Sequence, residues 1–324
     1  MAGSLARIVI VGGAGEVGRL VGRIVDPDVA VLEVVDPRSG PARSPRSVCA
    51  RSDVMDWLER SDTLLCEADC VVLAVPEDVA LRALHPLAEQ LPAGALLVDT
   101  LSVKRSVVTE LNDLPESLET LSLNPMFAPV LDLHGQPVLA VEVNPGARSQ
   151  RLLELIRLAG CRVVQCEAEY HDRKTASLQA LTHAAILSFG AALAKSGADP
   201  AELIEIAPPP FVAIAALLAR ILAGRSTTYY DIQASNEHAQ LARDLFADAG
   251  HSLQSAIDAG PAGFSAFLLE LAEVLGPEAA ELERQAQQML EAQRGAQPKT
   301  PPTNGHQRLG RVCGPLVSEV AEGG

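Results

Sequence analysis

The chain has 324 residues, 48% hydrophobic and 21% charged, a balance that excludes a wholly disordered or fibrous protein and allows two domains. Its formal net charge of -15 makes nucleic acid and anionic lipid unfavourable partners. An anionic ligand would therefore need a local cationic pocket.

Cysteine usage argues against a metal site. The six cysteines show neither a C-x-x-C pair nor the Cys/His spacing of zinc ligands (49, 66, 70, 161, 166 and 313). We therefore expect structural thiols in a reducing compartment and no metal. The apolar run at the start is too short for a signal helix, and no run reaches the roughly 20 residues that a bilayer requires. We expect a soluble, cytoplasmic protein.

The first half alternates short β-branched runs with helical patterns. Strands are predicted at 7–11, 29–35, 70–75, 95–99, 121–124, 138–143 and 162–165. Helices are predicted at 17–24, 79–89, 104–112 and 148–158, and residues 37–47 are predicted to be a loop. Nearly all-apolar strands that alternate with helices predict an α/β fold, with a mainly parallel sheet covered on both faces.

Strand patterns end near residue 170, and alanine- and leucine-rich helices follow at 171–195, 210–223, 231–249, 264–275 and 277–294. Residues 184–194 are apolar on more than one face, which predicts burial in a homodimer. We expect a nucleotide-binding domain at 1–168 and an all-helical substrate and dimerisation domain at 169–294. A mobile tail is expected at 295–324.

A glycine loop directly after the first strand is the strongest motif. Gly13, Gly15 and Gly18 form G-x-G-x-x-G, with Glu16 and Val17 between them, and open a helix. Such glycines permit a tight turn, so that a pyrophosphate can lie on the helix N-terminus. This context predicts a Rossmann-type dinucleotide site rather than a purely structural turn.

The second strand ends in Asp36, 18 residues beyond Gly18. A carboxylate there can accept both ribose hydroxyls and would repel a 2′-phosphate, which favours NAD over NADP. Arg38 leaves NADP open.

Three polar clusters follow later strands, at the sheet edge where ligands of such folds bind. They are Val75-Pro76 beside the cofactor, the 99–104 run with Ser102 and Lys104, and the 124–129 run with Asn124 and Met126. Each has a plain alternative, since Ser102 could be a helix N-cap and Asn-Pro is a common turn. Their convergence on one edge favours a functional site.

The helical half begins with His171-Asp172, and Gln179 and His183 lie four residues apart on one helix face. A single histidine on an apolar helix is often only a core residue, and Arg173 and Lys174 are interpreted as solvated charges.

Together these motifs resemble the prephenate/arogenate dehydrogenase family over about residues 6–290. The resemblance rests on the glycine loop, D-x-x-S-V-K at 99–104, P-M-F-x-P at 125–129, H-D at 171–172, Q-A-L-x-H at 179–183 and Y-x-D-I at 229–232. It implies NAD(P)-dependent oxidative decarboxylation by a Rossmann domain followed by a helical dimerisation domain. It also implies that Ser102 and His183 line the substrate and nicotinamide site, with Lys104, Asn124, Met126 and Gln179 as further substrate contacts.

Two positions depart from the family pattern. Asn124 stands where the family has a histidine that takes the proton of the C4 hydroxyl, and an amide cannot act as that base. Val212 stands where the family carries an arginine for the ring carboxylate. The cation for the ring carboxylate must come from elsewhere, with Arg220, Lys104 and Arg105 as candidates, or be absent.

The exchange at 124 favours a substrate with an amine at C4. A neutral nitrogen lone pair can help to expel hydride without simultaneous loss of a proton, and the asparagine oxygen can accept an N–H. The sequence thus predicts NAD-dependent conversion of 4-amino-4-deoxyprephenate to 4-aminophenylpyruvate, with Asn124, Ser102 and His183 at the reacting centre. In this it resembles the family's specialised branch, which implies the supply of 4-aminophenylalanine precursors for antibiotics. The alternatives are a prephenate or arogenate dehydrogenase that uses another base, such as His183 through water, and a non-catalytic nucleotide-binding member.

Overall fold

A computed structural model describes residues 3–25, 31–38, 47–60, 65–127 and 131–296. Eight strands form one sheet in the order β3-β2-β1-β4-β5-β6-β7-β8. The strands are β1 (Arg7–Val11), β2 (Val31–Val35), β3 (Ser47–Ala50), β4 (Cys70–Leu73), β5 (Leu96–Asp99), β6 (Glu119–Pro125), β7 (Pro137–Asn144) and β8 (Arg162–Gln165). All neighbouring strands pair in parallel except β6 and β7. The predicted α/β fold with a mainly parallel sheet is confirmed.

Helices cover both faces of this sheet, because alternate residues of each strand point to opposite faces. The helices are α1 (Glu16–Val25), α2 (Val54–Glu59), α3 (Glu77–Gln90), α4 (Arg105–Asn112) and α5 (Ala147–Leu158). One core lies between the sheet and α2, α3 and α4, and includes Val71, Leu97 and Leu84. The other lies under α1 and α5, and includes Val72, Leu96 and Leu153. Burial on both faces explains why the strand sequences are nearly all apolar.

β3 and α2 were not predicted. Of the segment expected to be a loop, residues 39–46 lie outside the described residues, and β3 begins at Ser47. α2 follows Asp53, whose side chain accepts a hydrogen bond from the Met55 amide at 2.9 Å and so caps the helix. The Pro-, Ser- and Arg-rich composition of 37–47 concealed the start of an edge strand.

Helices follow the sheet, beginning with α6 (Ala168–Thr175), a π-helical turn (Ala176–Leu181) and α7 (Thr182–Ser196), which run on without a break. The others are α8 (Pro200–Ile206), α9 (Pro209–Ala223), α10 (Ser226–Ala234), α11 (Ala239–Asp258), α12 (Gly260–Leu275) and α13 (Ala279–Ala296). The tail predicted from residue 295 lies outside the described residues from 297 onward.

A single helix expected over 231–249 is divided between α10 and α11. Asn236 lies in the break, where its Oδ1 accepts the His238 amide at 2.9 Å and its Nδ2 donates to the Asp172 carbonyl at 2.8 Å. These bonds offer the backbone a turn in place of continued helix.

The continuous stretch Ala168–Ser196 has the length of a membrane-crossing helix, 29 residues, and contains an 18-residue window with a mean hydropathy of 1.3. This differs from the expectation that no run reaches that span. α9 and α10 meet the same criterion only as a pair, which is bent by 102°. Apolar helices at protein interfaces share this composition, so length and hydropathy alone do not distinguish the two settings.

The five cysteines of the described residues, Cys49, Cys66, Cys70, Cys161 and Cys166, are free thiols. Burial raises the pKa of Cys70, Cys161 and Cys166, which keeps these thiols protonated and unreactive.

Candidate active site

The glycine loop joins β1 to α1 through a turn that admits no side chain at two positions. Gly12 has a φ of +82°, and a Cβ there would lie 2.2 Å from the Ala74 carbonyl oxygen. A Cβ at Gly18 would lie 2.4 Å from the Gly12 carbonyl oxygen. The loop therefore packs against the end of β4, where Val75 and Pro76 follow. This cradle leaves backbone amides at the start of α1 for a dinucleotide phosphate.

Gly13 is buried, Gly15 and Val17 are half-buried, and Glu16 is exposed at the first turn of α1. All four lie in or directly after the turn, as the motif predicts for a cofactor loop. Val75 and Pro76 are half-buried between β4 and α3.

Asp36 directly follows β2 and contacts the glycine loop. Its Oδ2 accepts the Ala14 amide at 3.2 Å, and its Oδ1 accepts the Arg38 amide at 2.8 Å. The Arg38 guanidinium pairs with the carboxylate at 3.2 Å. Burial raises the pKa of Asp36, but the hydrogen bonds and charge of Arg38 outweigh it, so the pKa lies below its ordinary value. The carboxylate is therefore an anion where a ribose would lie.

Lys104 does not reach the ligand side of the sheet edge, which corrects its prediction as a substrate contact. The side chain is fully buried, and its Nζ donates to Asp99 Oδ1 at 3.0 Å and to the Leu123 carbonyl at 2.8 Å. Burial lowers the pKa of Lys104 despite the Asp99 charge. Lys104 instead fixes the end of β6 directly before Asn124, and it is also withdrawn as a candidate for the ring carboxylate.

Asn124 lies on β6 and is 2% exposed. Its Nδ2 is 3.0 Å from Nε2 of His171, and Nδ1 of His171 is 2.7 Å from Oδ1 of Asp172. Met126, two residues on, is half-buried, and its amide bonds the Pro137 carbonyl. A ligand group that met Asn124 would be shielded from bulk water, and its polar interactions would be strengthened.

Ser102 is not the N-cap of α4. The first amides there, those of Lys104 and Arg105, donate to the Asp172 carboxylate, each at 2.8 Å. The Asp172 side chain of α6 thus caps α4, although Asp172 is 68 residues from Lys104 in sequence. Among the described residues no partner is found for the half-buried Ser102 hydroxyl, which stays available to a ligand.

Gln179 and His183 lie further along the same helix. Gln179 is within the π turn, so its direction relative to His183 differs from that of a regular α-helix. Gln179 Oε1 and His183 Nδ1 are buried without a hydrogen-bond partner in the described part of the chain. Buried polar atoms of this kind are uncommon and are typical of ligand sites.

α10 borders both His183 and the cofactor side of the sheet. The Tyr229 ring meets the His183 ring edge-on with centroids 5.0 Å apart. The Asp231 carboxyl also interacts with the backbone amide of Glu77, the residue after Pro76. Burial and the charges of Glu77 and Asp78 raise the pKa of Asp231. One short helix thus connects the predicted substrate and cofactor residues.

Two arginines were candidates for the ring carboxylate. Arg105 is paired with Glu237, and Glu169 is 4.0 Å away, so its charge is already matched. Arg220 lies in the last turn of α9 and acts on His183: burial first, then the Arg220 charge, lowers the pKa of His183. Among the described residues Arg220 has no ion-pair partner, whereas Val212 lies half-buried at the other end of α9.

Sequence reasoning noted His171-Asp172 but gave neither residue a role. Their function as partners of Asn124 and of the α4 amides depends on contacts 47 to 68 residues apart in sequence. The only local signal was a His-Asp pair at the start of a helix.

Sequence comparisons identify the family. The profile for the prephenate dehydrogenase nucleotide-binding domain matches residues 44–131, and that for the dimerization domain matches residues 167–270. The 4-amino-4-deoxyprephenate dehydrogenase of Streptomyces pristinaespiralis is 43% identical over 288 residues, which cover 88% of this chain and 97% of the relative. The T-protein of Haemophilus influenzae is 28% identical over 70% of this chain and 55% of the relative.

Solved structures share the fold. Prephenate dehydrogenase from A. aeolicus, in complex with hydroxyphenyl propionate and NAD⁺, has a TM-score of 0.61 at 19% identity and covers 87% of this chain and 98% of that chain. Synechocystis arogenate dehydrogenase has a TM-score of 0.57 at 16% identity and covers 86% and 99%. The two profiles and the long match to the Streptomyces relative assign the family: this chain belongs to the prephenate dehydrogenases and is a dehydrogenase with a nicotinamide cofactor.

Proposed function

We propose that the chain oxidises 4-amino-4-deoxyprephenate. Hydride leaves ring C4 for NAD⁺, the ring carboxylate leaves as carbon dioxide, and the aromatic product is 4-aminophenylpyruvate. The observation that carries the proposal is a buried asparagine at position 124, whose Nδ2 already contacts His171. The 43% identity to a 4-amino-4-deoxyprephenate dehydrogenase supports the same substrate.

Asn124 acts as a hydrogen-bond acceptor in this proposal. Its Oδ1 accepts an N–H of the C4 amine, and the nitrogen lone pair stays free to donate electrons as hydride departs. No proton is removed in that step. The amide cannot serve as a base for a C4 hydroxyl, and general-base catalysis typically contributes roughly 10²–10⁴-fold. A hydroxyl substrate should therefore react more slowly.

The remaining polar groups orient the substrate. Ser102, Gln179 and His183 each offer an atom without a protein partner, to which the substrate's carboxylate and keto oxygens can bind. Arg220 supplies the positive charge that Val212 cannot, at the His183 end of the site. Together these groups would recognise a small dianion within an acidic protein.

NAD is the proposed cofactor, and when bound it accepts the hydride. Gly12 and Gly18 leave no room for a side chain, which fits close approach of a pyrophosphate. Asp36 is anionic and would repel a 2′-phosphate, while Arg38 is engaged by that carboxylate. Both features favour NAD over NADP.

We also propose a cytoplasmic homodimer in which residues 1–168 bind the cofactor and residues 169–294 contribute substrate contacts and the dimer interface. The dimerization-domain profile over 167–270 and the exposed apolar side chains of α7 to α12 support this arrangement. No nucleic-acid or membrane partner is proposed, in keeping with the acidic charge.

Steady-state kinetics on the two C4 substrates test the proposal. The purified protein should show the higher kcat/KM on 4-amino-4-deoxyprephenate, and higher kcat/KM on prephenate would contradict it. Asn124→His should gain prephenate activity, because an imidazole restores a base. Asn124→Ala is the control, since it removes the amide without adding a base and should gain none.

A prephenate or arogenate dehydrogenase remains the second candidate, for one reason. His183 has an unpartnered Nδ1 and a lowered pKa, so it is a neutral imidazole that could take a proton through water. The substrate comparison above decides between the two.

A further inference from the structure

A chain of hydrogen bonds leads from the start of α4 to Asn124. Asp172 accepts the amides of Lys104 and Arg105, His171 connects Asp172 to Asn124, and each member is nine-tenths buried or more except Arg105. Of these hydrogen-bonded residues, the proposed reaction uses only Asn124. His171 and Asp172 are therefore buried titratable groups still without a role.

The carboxylate of Asp172 determines which atom donates in each of these hydrogen bonds. Burial raises the pKa of this carboxyl, but the hydrogen bonds from His171 and from the two α4 amides outweigh it, so the pKa lies below its ordinary value. An ionised carboxylate only accepts hydrogen bonds. Nδ1 of His171, at 2.7 Å from Oδ1, must therefore carry the hydrogen.

The protonation of His171 then determines which atom of Asn124 donates. Burial lowers its pKa, an effect that Lys104 reinforces and the charges of Asp172 and Asp99 oppose without overcoming, so the ring is neutral near pH 7. A neutral imidazole with its hydrogen on Nδ1 has a lone pair on Nε2. Asn124 must then donate from Nδ2, at 3.0 Å, and its Oδ1 is turned away from the histidine.

We propose that His171, held by Asp172, is a positioning residue that presents Oδ1 rather than Nδ2 of Asn124 to the C4 amine of the substrate. This inference rests on the proposed function. The orientation matters because an amide N–H aimed at the amine would bind the nitrogen lone pair and withhold it from hydride expulsion. Oδ1, in contrast, accepts an N–H and leaves that lone pair free. The effect of His171 should therefore fall on kcat more than on KM.

The test compares His171→Phe and His171→Gln with the wild-type enzyme on both C4 substrates. Phenylalanine removes the acceptor, and the side-chain amide of Asn124 can then rotate so that Oδ1 and Nδ2 exchange places. We expect kcat on the amine substrate to fall about tenfold, the size of one lost hydrogen bond, with little change in the KM for NAD. The ratio of kcat/KM for amine over hydroxyl substrate should fall with it. Glutamine either accepts or donates, so it keeps a partner without a fixed direction and should lower the ratio by less.

A double-mutant cycle separates positioning from a structural role. In an Asn124→Ala background the substitution at His171 should have less than about a twofold further effect, because the group it orients is gone. His238→Phe, at the start of α11, is the matched control and should leave the ratio unchanged. Thermal unfolding checks that each variant is folded, and His171→Gln carries the comparison if His171→Phe is not.

An undiminished effect of His171→Phe or His171→Gln in the Asn124→Ala background would overturn the inference, as would an unchanged substrate ratio in the single variant. If the wild-type enzyme prefers the amine but the ratio does not respond to His171, the inference fails and the proposed function stands. If the wild-type enzyme prefers prephenate, the proposed function itself fails.

Discussion

The two halves of the molecule differ in how their apolar surface is covered. In the sheet half, strands such as β4 and β5 are buried at every residue, and helices close both faces. In the helical half, α7, α8 and α12 contain no buried residue, and Leu269 and Val274 are 69% and 82% exposed. The first half has a complete core within one chain, whereas the second leaves a surface that a second copy would bury. The proposed cofactor residues lie in the complete half, whereas the proposed substrate groups are divided between the two halves.

The largest effect on assembly is expected from charging the exposed apolar surface. Leu269→Asp should weaken the dimer about 100-fold or more in Kd, because a carboxylate buried at an interface loses its hydration. Analytical ultracentrifugation over a dilution series would measure this. Leu158→Asp, at the equally exposed end of α5 in the sheet half, is the control and should leave the dimer intact. Equal dimer stability in both variants would contradict the comparison.

The buried pair of Lys104 and Asp99 should be the most sensitive electrostatic feature of the sheet half. Lys104→Met leaves the Asp99 carboxylate buried and uncompensated, so the free energy of unfolding should fall by about 3–5 kcal/mol in denaturant titrations. Arg82→Met, which breaks the exposed pair with Asp78, should cost less than about 1 kcal/mol. Comparable losses in the two variants would show that Lys104 does not fix β6 as described.

Arg220→Ala tests whether the helical half supplies the cation for the substrate. The KM for the substrate should rise about 10- to 100-fold, the range of a lost charge-assisted hydrogen bond, while the KM for NAD stays the same. Arg225→Ala, the next arginine along the chain, is the control. A larger effect at Arg225 than at Arg220 would reassign the carboxylate contact.

Asp36→Asn should give the smallest change and should fall on the cofactor alone. Loss of the anion should raise the KM for NAD about tenfold and narrow its preference over NADP, while the KM for the substrate is unchanged. An unaltered ratio of kcat/KM with NAD to kcat/KM with NADP would mean that Asp36 does not contribute to recognition of the ribose. Initial-rate measurements with both cofactors suffice.

Much of the sheet half was predictable because its determinants are local. Strands buried on both faces have short apolar sequences. The motif at Gly13, Gly15 and Gly18 marks the turn after β1, and in that turn a side chain is excluded at Gly12 and Gly18. The edge strand β3 was missed because the polar segment before it resembles a loop. Apolar runs likewise identified most helices of the second half, but α8 was not predicted. Asn236 also interrupts the helix expected over 231–249 through a side-chain bond that the periodicity does not reveal.

The site was less predictable, since its key contacts join residues that are distant in sequence. Ser102 had the residue type and position of an N-cap, yet Asp172 caps α4 instead. Lys104 had the charge of a ligand group, yet its burial with Asp99 makes it a support for β6. Asn124 was singled out by its departure from the family pattern, but its tie to His171 needed the folded chain.

The Asp172 carboxylate has a mechanical consequence. It joins the start of the long helix to the first turn of α4, and Asn236, in the break between α10 and α11, donates to the Asp172 carbonyl. The helix that carries His183 is therefore tied to the sheet half at its start, and any rocking of the helical half would pivot near Asp172. Displacement grows with distance from a pivot, and His183 lies about 18 Å along the helix from His171. The geometry around Asn124, next to this pivot, should accordingly change least through each turnover.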